Sequence, residues 1–316
     1  MNKFYKLIQS TKDQKMKKNV LITGANGFIA KNISKLLQEN YNVRFLTRRK
    51  TNDQEYEWNI DKQEIDVRSL KDVNHIIHLA GANIGEKRWT KERKKLILSS
   101  RIDSAKLILN TLIKENISIE SFISASAIGY YGTLTSNKIF AETDKHGADF
   151  LSHVCLQWEN IADEFKTKNI AKRVIKIRTG VTLSEDSNGA LFKIKTPIQY
   201  HLGACLGSGK QYMPWIHIKD LCSIYKYALE NINLEGAYNA VSPEHTTNKD
   251  LTYSIAKHLN KRIWLPNIPS FFIQWVMGER ANLLLEGNRI SAHKLLESGF
   301  YFRYKELDDS LKSLLQ

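Results

Sequence analysis

From Lys18 onward, apolar runs of strand length alternate with segments whose apolar residues recur at helical spacing. Asn19 to Thr23 predicts a first strand, and Phe28 to Glu39 a helix with Ile29, Ile33, Leu36 and Leu37 on one stripe. Val43 to Leu46 predicts a second strand and His75 to Ala80 a later one. Ser121 to Ser126 and Arg173 to Thr179 repeat the theme, with long helices expected over Lys91 to Glu115 and Phe150 to Lys168. Strands and helices in alternation are the signature of stacked βαβ units on a parallel sheet. After about Thr182 the rhythm changes. Gly203 to Gly209 is glycine-rich, and helices over Lys249 to His258 and Ser270 to Glu286 dominate. The pattern therefore predicts an α/β chain. A Rossmann doubly wound parallel sheet occupies residues 18–182, with residues 214–243 returning to it, and a smaller, mostly helical C-terminal substrate domain occupies 183–316.

Composition narrows this picture. With 316 residues the chain can bury a sizeable core without a disulfide or metal staple. Cys155, Cys205 and Cys222 are far apart and in no C-x-x-C arrangement, which fits a reducing, cytoplasmic setting and reads as three buried apolar side chains. No apolar stretch approaches the roughly twenty residues of a membrane span, so no membrane association is expected. Met1 to Lys18 is Lys-rich without the apolar region or cleavage site of a signal peptide, so residues 1–17 read as a partly disordered leader, with Met16 as an alternative start. The net charge of +14 raises the question of nucleic acid. The lysines are scattered and no nucleic-acid motif is present, so a phosphorylated cofactor or acidic substrate is the expected partner. The one dense run, Lys87-Arg88 through Lys91, Arg93, Lys94 and Lys95, is either a solvated helix face or an anion-contacting surface.

The chemistry starts at Gly24, Gly27 and Ala30. A glycine at a strand exit permits a tight turn, a second lets the backbone approach a pyrophosphate, and a small third residue lets the helix pack on the sheet. Asn26, Phe28 and Ile29 complete the turn, whose helix N-terminus would offer N–H groups and partial positive charge to phosphates. A carboxylate at the end of the second strand would select NAD, whereas this chain reads Thr47-Arg48-Arg49-Lys50. Arginines there suit the 2′-phosphate of NADP, so NADP is the expected cofactor and NAD the alternative. Leu79-Ala80-Gly81-Ala82-Asn83 suits a loop close beneath it. His75 and His78 lie among apolar residues, and no metal-ligand spacing is present, so no metal is expected.

With these motifs the chain resembles the extended short-chain dehydrogenase/reductase superfamily, the NAD-dependent epimerase/dehydratase family, and within it a branch of "epimerase family proteins" of unknown substrate. The markers run from Thr23-Gly24-Ala25-Asn26-Gly27-Phe28-Ile29 through Leu79-Ala80-Gly81-Ala82-Asn83-Ile84 and Arg88-Trp89-Thr90 to Ser124-Ala125-Ser126-Ala127-Ile128-Gly129-Tyr130-Tyr131-Gly132 and Arg178-Thr179-Gly180-Val181. Leu206-Gly207-Ser208-Gly209, Pro214-Trp215-Ile216-His217 and Asn239-Ala240-Val241-Ser242-Pro243 follow. The resemblance implies that Ser124 and Arg178 join the cofactor-contacting set. It also implies a catalytic Asn, a Ser or Thr, and a Tyr-x-x-x-Lys pair whose tyrosine exchanges a proton during hydride transfer. Ser126 matches the hydroxyl residue, with Ser124 as second candidate. The other positions depart: Phe150 aligns with the tyrosine, Val154 with the lysine and Arg101 with the asparagine. Tyr130 or Tyr131 is the expected substitute acid, with Arg101 or His153 lowering its pKa. Arg88, Trp89, Trp215 and His217, with Gln211 on a loop from Gly203 to Gly209, are expected at the substrate, and Asp220 as the cap of a helix starting at Leu221.

Two function classes follow. One is an NADP-dependent oxidoreductase or epimerase acting on an unidentified small molecule; the other is a non-catalytic NADP(H)-binding sensor. A monomer or homodimer serves either.

Overall fold

The computed structural model describes residues 17–316, so the leader falls outside the described residues but for Lys17. The first half contains strands β1 (Lys18–Thr23), β2 (Tyr41–Thr47), β3 (Glu55–Asn59), β4 (Glu64–Ile65), β5 (Val73–His78), β6 (Ile119–Ala127), β7 (Ile139–Phe140) and β8 (Ala171–Thr179). Among them lie helices α1 (Phe28–Leu37), α2 (Lys91–Lys114) and α3 (Phe150–Thr167). Then come β9 (Val181–Leu183), α4 (Ala190–Gln199), β10 (Trp215–His217), α5 (Ile218–Glu230), β11 (Gly236–Ala240), α6 (Asn248–His258), α7 (Ser270–Met277), α8 (Asn282–Leu285), β12 (Arg289–Ile290), α9 (His293–Glu297) and α10 (Leu307–Leu315).

Eight strands form one sheet in the order β11-β8-β6-β5-β1-β2-β3-β4. Every neighbouring pair is parallel except β3 with β4. Successive residues of a strand point to opposite faces, and β1 shows the result. Ile22 joins Ile33, Leu37, Ile123, Ile177 and Tyr225 under α1 and α5. Leu21 joins Ile76, Leu109, Phe122 and Phe165 under α2 and α3. Burying side chains of this size stabilises by about 1.5–3 kcal/mol each, which fixes the strand register and, with it, the positions of the strand ends. A third cluster, with Leu183, Met213, Trp215, Leu251 and Leu311, packs the C-terminal helices. The helix starts obey local chemistry: Thr90 caps α2, Asp149 caps α3, and Thr247 with Asp250 forms a capping box on α6.

The strand order reverses between β1 and β5, and the carboxyl ends of these strands open the crevice where such folds take ligands. Late in the chain, β11 enters the main sheet beside β8, and α5 packs on α1. β10 instead pairs with β9 in a two-stranded ribbon, and β7 with β12 in another. The helix expected from Ser270 to Glu286 is broken. Gly278 takes φ +60°, ending α7, and a 3-10 turn over Gly278–Ala281 redirects the chain into α8.

Candidate functional site

β1 delivers Gly24 to the switch point. Its φ is +75°, and a Cβ there would stand 3.2 Å from the carbonyl carbon and oxygen of Leu79 at the end of β5, so both torsion and space demand glycine. The Gly27 N–H donates to Gly24 O at 2.8 Å. α1 then begins with no side-chain cap and no acidic residue in its first turn, so its N-terminal N–H groups and positive dipole end are offered to the crevice. Thr23 Oγ1 accepts from both Leu79 N–H and Ala80 N–H at 3.0 Å, tying the two strand ends together beneath the opening. At the end of β2, Thr47 is buried and its Oγ1 accepts from the Arg49 N–H at 3.4 Å, which shapes the turn. Arg48 and Arg49 are exposed, and among the described residues no carboxylate lies within 4 Å of either. A cradle only glycine fits, an acid-free helix start and two unpaired arginines together suit a phosphorylated dinucleotide.

A cleft of about 660 Å³ extends from Gly24, Gly27, Phe28 and Ile29 past Leu79, Gly81 and Asn83 to Leu283 and Ile290. Its walls are largely apolar: Ile84, Ile128, Leu151, Val154, Trp158 and Met213 contribute. Among the described residues, Arg101 is the only lysine or arginine that lines it, and Asp186 and Glu286 are the only carboxylates. On α3, the cleft face is Leu151, Val154, Cys155 and Trp158. Phe150 faces elsewhere, its ring 5.3 Å from that of Trp89. Leu151 and Cys155 both line the cleft, whereas of Phe150 and Val154 only Val154 does, and neither register supplies a tyrosine or lysine. Burial pushes the Cys155 thiol up to about 12.

Several expected site residues are committed to other protein groups. Ser126 lines the cleft, but its Oγ donates to Glu159 Oε1 at 2.7 Å. Arg178 closes on the same carboxylate, Nε to Oε1 and Nη2 to Oε2 both at 2.8 Å, and its Nη1 donates to Tyr131 Oη and Glu142 O. It is 3% exposed and off the cleft wall; with its donors spent on protein, it is a core arginine and not a cofactor contact. Burial works against its charge, but Glu159 holds its pKa above the ordinary value. Tyr131 does not line the cleft and its Oη donates to Asn239 Oδ1 at 2.7 Å, which places its proton away from the expected acid role; burial pushes its pKa up to about 12. Tyr130 lies against the Arg178 guanidinium, 3.5 Å from ring centre to carbon, and does not line the cleft. The Ser124 hydroxyl is buried and bonds Ala125 O.

The substrate-side expectations are corrected too. Trp215 is 0% exposed, its Nε1 bonding Thr246 Oγ1, so it is a core residue and not a cleft wall. His217 is equally buried, caps α5 through Nδ1, stacks on Tyr304 at 3.7 Å, and is lowered to about 4 by burial. Asp220 does not cap α5; its oxygens accept from Arg303 and Tyr304 N–H, pinning the C-terminal segment. Trp89 Nε1 bonds Ile84 O, and Arg88 is exposed beside Gly278. Gly207 and Gly209 make turns at positive φ, and Gln211 Nε2 bonds Leu206 O and Leu284 O, so that loop is built into the scaffold rather than laid over the cleft. Within the basic run, Lys94 pairs with Glu279 and Arg93 bonds Asn83 O, joining α2 to both the cleft rim and the α7 region. His75 and His78 bond Ser121 and Ser104, and among the described residues no three His, Cys, Asp or Glu side chains are placed to hold a metal ion. No helix among them is long and apolar enough to cross a membrane.

The model of the NAD dependent epimerase/dehydratase family matches residues 20–150, and a domain of unknown function matches residues 268–314. The epimerase family protein YfhF of Bacillus subtilis is 31% identical over 94% of this chain and 98% of its own length. The chain belongs to the NAD-dependent epimerase/dehydratase family. Its epimerase-family relatives include a chloroplastic SDR39U1 homolog of Arabidopsis thaliana, 32% identical over 99% of this chain and 91% of that protein. Among solved structures, human epimerase family protein SDR39U1 with NADPH superposes with a TM-score of 0.83 at 28% identity, covering 94% of this chain and 99% of that one. A nucleoside-diphosphate sugar epimerase from Corynebacterium glutamicum gives 0.77 at 27%, over 98% of this chain and 61% of that chain. On the cleft face of α3, neither register of the Tyr-x-x-x-Lys spacing holds a tyrosine or a lysine.

Proposed function

We propose that this protein binds NADP(H) in preference to NAD(H) and brings a small molecule beside it, as an oxidoreductase or epimerase whose acid–base equipment differs from the usual. The observation that carries the reading is Gly24, held at φ +75° against the Leu79 backbone, facing an acid-free helix start. The N–H groups from Gly27 to Ile29 would hold the pyrophosphate, Arg48 and Arg49 the 2′-phosphate, and Leu79 to Gly81 with Asn83 the surface beneath. The human relative's structure with NADPH supports the same choice. When bound, the dinucleotide supplies hydride exchange at its nicotinamide ring. The chain's own residues exclude water with Ile128, Leu151, Val154 and Trp158, and Ser126, whose proton is committed to Glu159, can only accept a hydrogen bond from a ligand.

Titration of nicotinamide fluorescence tests this. Wild-type protein binds NADPH more tightly than NADH, and replacing Arg48 and Arg49 together by Ala removes about tenfold or more of NADPH affinity, leaving NADH within about twofold. Failure of both nucleotides to bind overturns the reading; a tighter fit to NADH overturns the role of the arginines. The apolar cleft face of α3 favours a second reading, an NADP(H) sensor without turnover. Persistence of NADPH absorbance across a broad panel of carbonyl compounds supports the sensor, and oxidation by any of them the enzyme.

A further inference from the structure

Among the described residues, Arg101 is the one lysine or arginine lining the cleft, and no carboxylate pairs with it. It is 9% exposed and lines the cleft beside the apolar residues of α3. Its guanidinium lies under Gly81, where a Cβ would come within 3.0 Å of its central carbon, and over the Trp158 ring at 4.8 Å. Nη1 donates to Ile97 O at 2.8 Å and Nη2 to Ala82 O at 3.1 Å. A guanidinium carries five N–H donors, and the remaining ones have no acceptor among the described residues. No carboxylate there comes within 4 Å either. A lone buried charge is costly and is normally paired. Two carbonyls and an aromatic face hold the group in place without neutralising it, so the fold keeps a fixed, desolvated cation on the wall of an otherwise apolar cavity.

Resting on the proposed NADP(H) site, we infer that Arg101 receives the carboxylate of the small-molecule ligand, and that this ligand is a monoanion with an apolar body. The planar fork of an arginine matches a carboxylate in two parallel bonds, and in a water-poor cleft such bonds are stronger than at a surface. Asp186 and Glu286 line the same cleft and oppose a second negative group. Ile84, Ile128, Leu151, Val154 and Met213 suit a hydrocarbon body. Gly81 suits the same arrangement, since a Cβ there would stand 3.0 Å from the guanidinium carbon and displace it.

The test uses the full chain saturated with NADPH and the probes hexanoate and hexanamide, observed by saturation-transfer NMR and by the change in bound-NADPH fluorescence. Hexanoate binds about tenfold or more tightly than hexanamide, R101Q lowers hexanoate affinity to the level of hexanamide, and R101K keeps part of the difference. NADPH affinity in both variants stays within about threefold of wild type, which separates a ligand anchor from a cofactor contact. Equal binding of the two probes, binding of neither, unchanged hexanoate affinity in R101Q, or a loss of NADPH affinity as large as the loss of hexanoate affinity overturns the inference. Should NADPH itself fail to bind wild-type protein, the cofactor reading falls, and the same hexanoate comparison on the nucleotide-free chain still decides the role of Arg101.

Discussion

The two sides of the cleft floor handle buried polar groups in opposite ways. At the ends of β6 and β8, the closed side, Ser126, Glu159, Arg178, Tyr131 and Asn239 satisfy one another in a continuous chain of hydrogen bonds. At the ends of β1 and β5, donors are left open: the start of α1 is uncapped and Arg101 has no carboxylate partner. Both sides contain a buried arginine, and burial acts on both. Glu159 overcomes it for Arg178, whose pKa is raised, whereas burial, with the nearby Arg93 charge, lowers Arg101 to about 10. A satisfied network gives rigidity; an unsatisfied one is a site for a ligand. The residues with the most catalytic appearance in the sequence, Ser126 and Tyr131, belong to the rigid side.

Breaking the closed side has the largest expected effect. Glu159→Ala strands the Arg178 charge and lowers stability by about 3–5 kcal/mol, whereas Arg101→Met is neutral or stabilising, because removing a lone buried charge removes its desolvation cost. Urea unfolding of the two variants decides it, and similar losses in both would erase the contrast between the two sides. On the open side, Gly24→Ala forces an L-residue to positive φ against Leu79, a strain of about 1–3 kcal/mol, and lowers NADPH affinity by about tenfold or more with little change elsewhere. Nucleotide titration beside the unfolding midpoint separates these outcomes. The smallest effect comes from His78 and His217, lowered by burial to about 3 and about 4. Their folded-state pKa values lie below the unfolded value near 6.5. The folded protein therefore resists the proton that the unfolded chain accepts. Their contribution is complete above pH 6.5, declines as the pH falls, and is spent once it passes the folded values. At pH 6 the loss is under about 1 kcal/mol per histidine, and His217→Asn flattens that part of the pH–stability curve; an unaltered curve in that variant would show that His217 does not contribute.

Much of the open side was legible in the sequence because its signals are local. Gly24 and Gly27 lie between a strand and a helix that declare themselves by period, and the arginines follow the second strand directly. The closed side was not legible, since Glu159, Arg178 and Asn239 meet only through the lateral order of β6, β8 and β11, which no local pattern encodes. Phase was the second difficulty: one residue along a helix is about 100° of rotation, so apolar spacing could not decide whether Phe150 or Leu151 faces the cleft. Strands of two or three residues, such as β7, β9, β10 and β12, are too short to show a period of two. The expected helix across Gly278 failed for a related reason, because its apolar stripe continues on both sides of a residue whose backbone turns left-handed.

The cleft is bounded by residues from Gly24 to Ile290, and this has a consequence for biosynthesis. A nascent chain can close the β1–β5 switch point early, but it cannot complete the pocket until the region around Ile290 has left the ribosome. At ~5–20 residues per second that interval is on the order of tens of seconds. During it, the uncapped end of α1 faces water, whereas Arg101 already has Gly81, Ala82, Ile97 and Trp158 around it. The desolvation of Arg101 is therefore set by early-made parts of the chain, and the last-made part only completes the cleft in front of it.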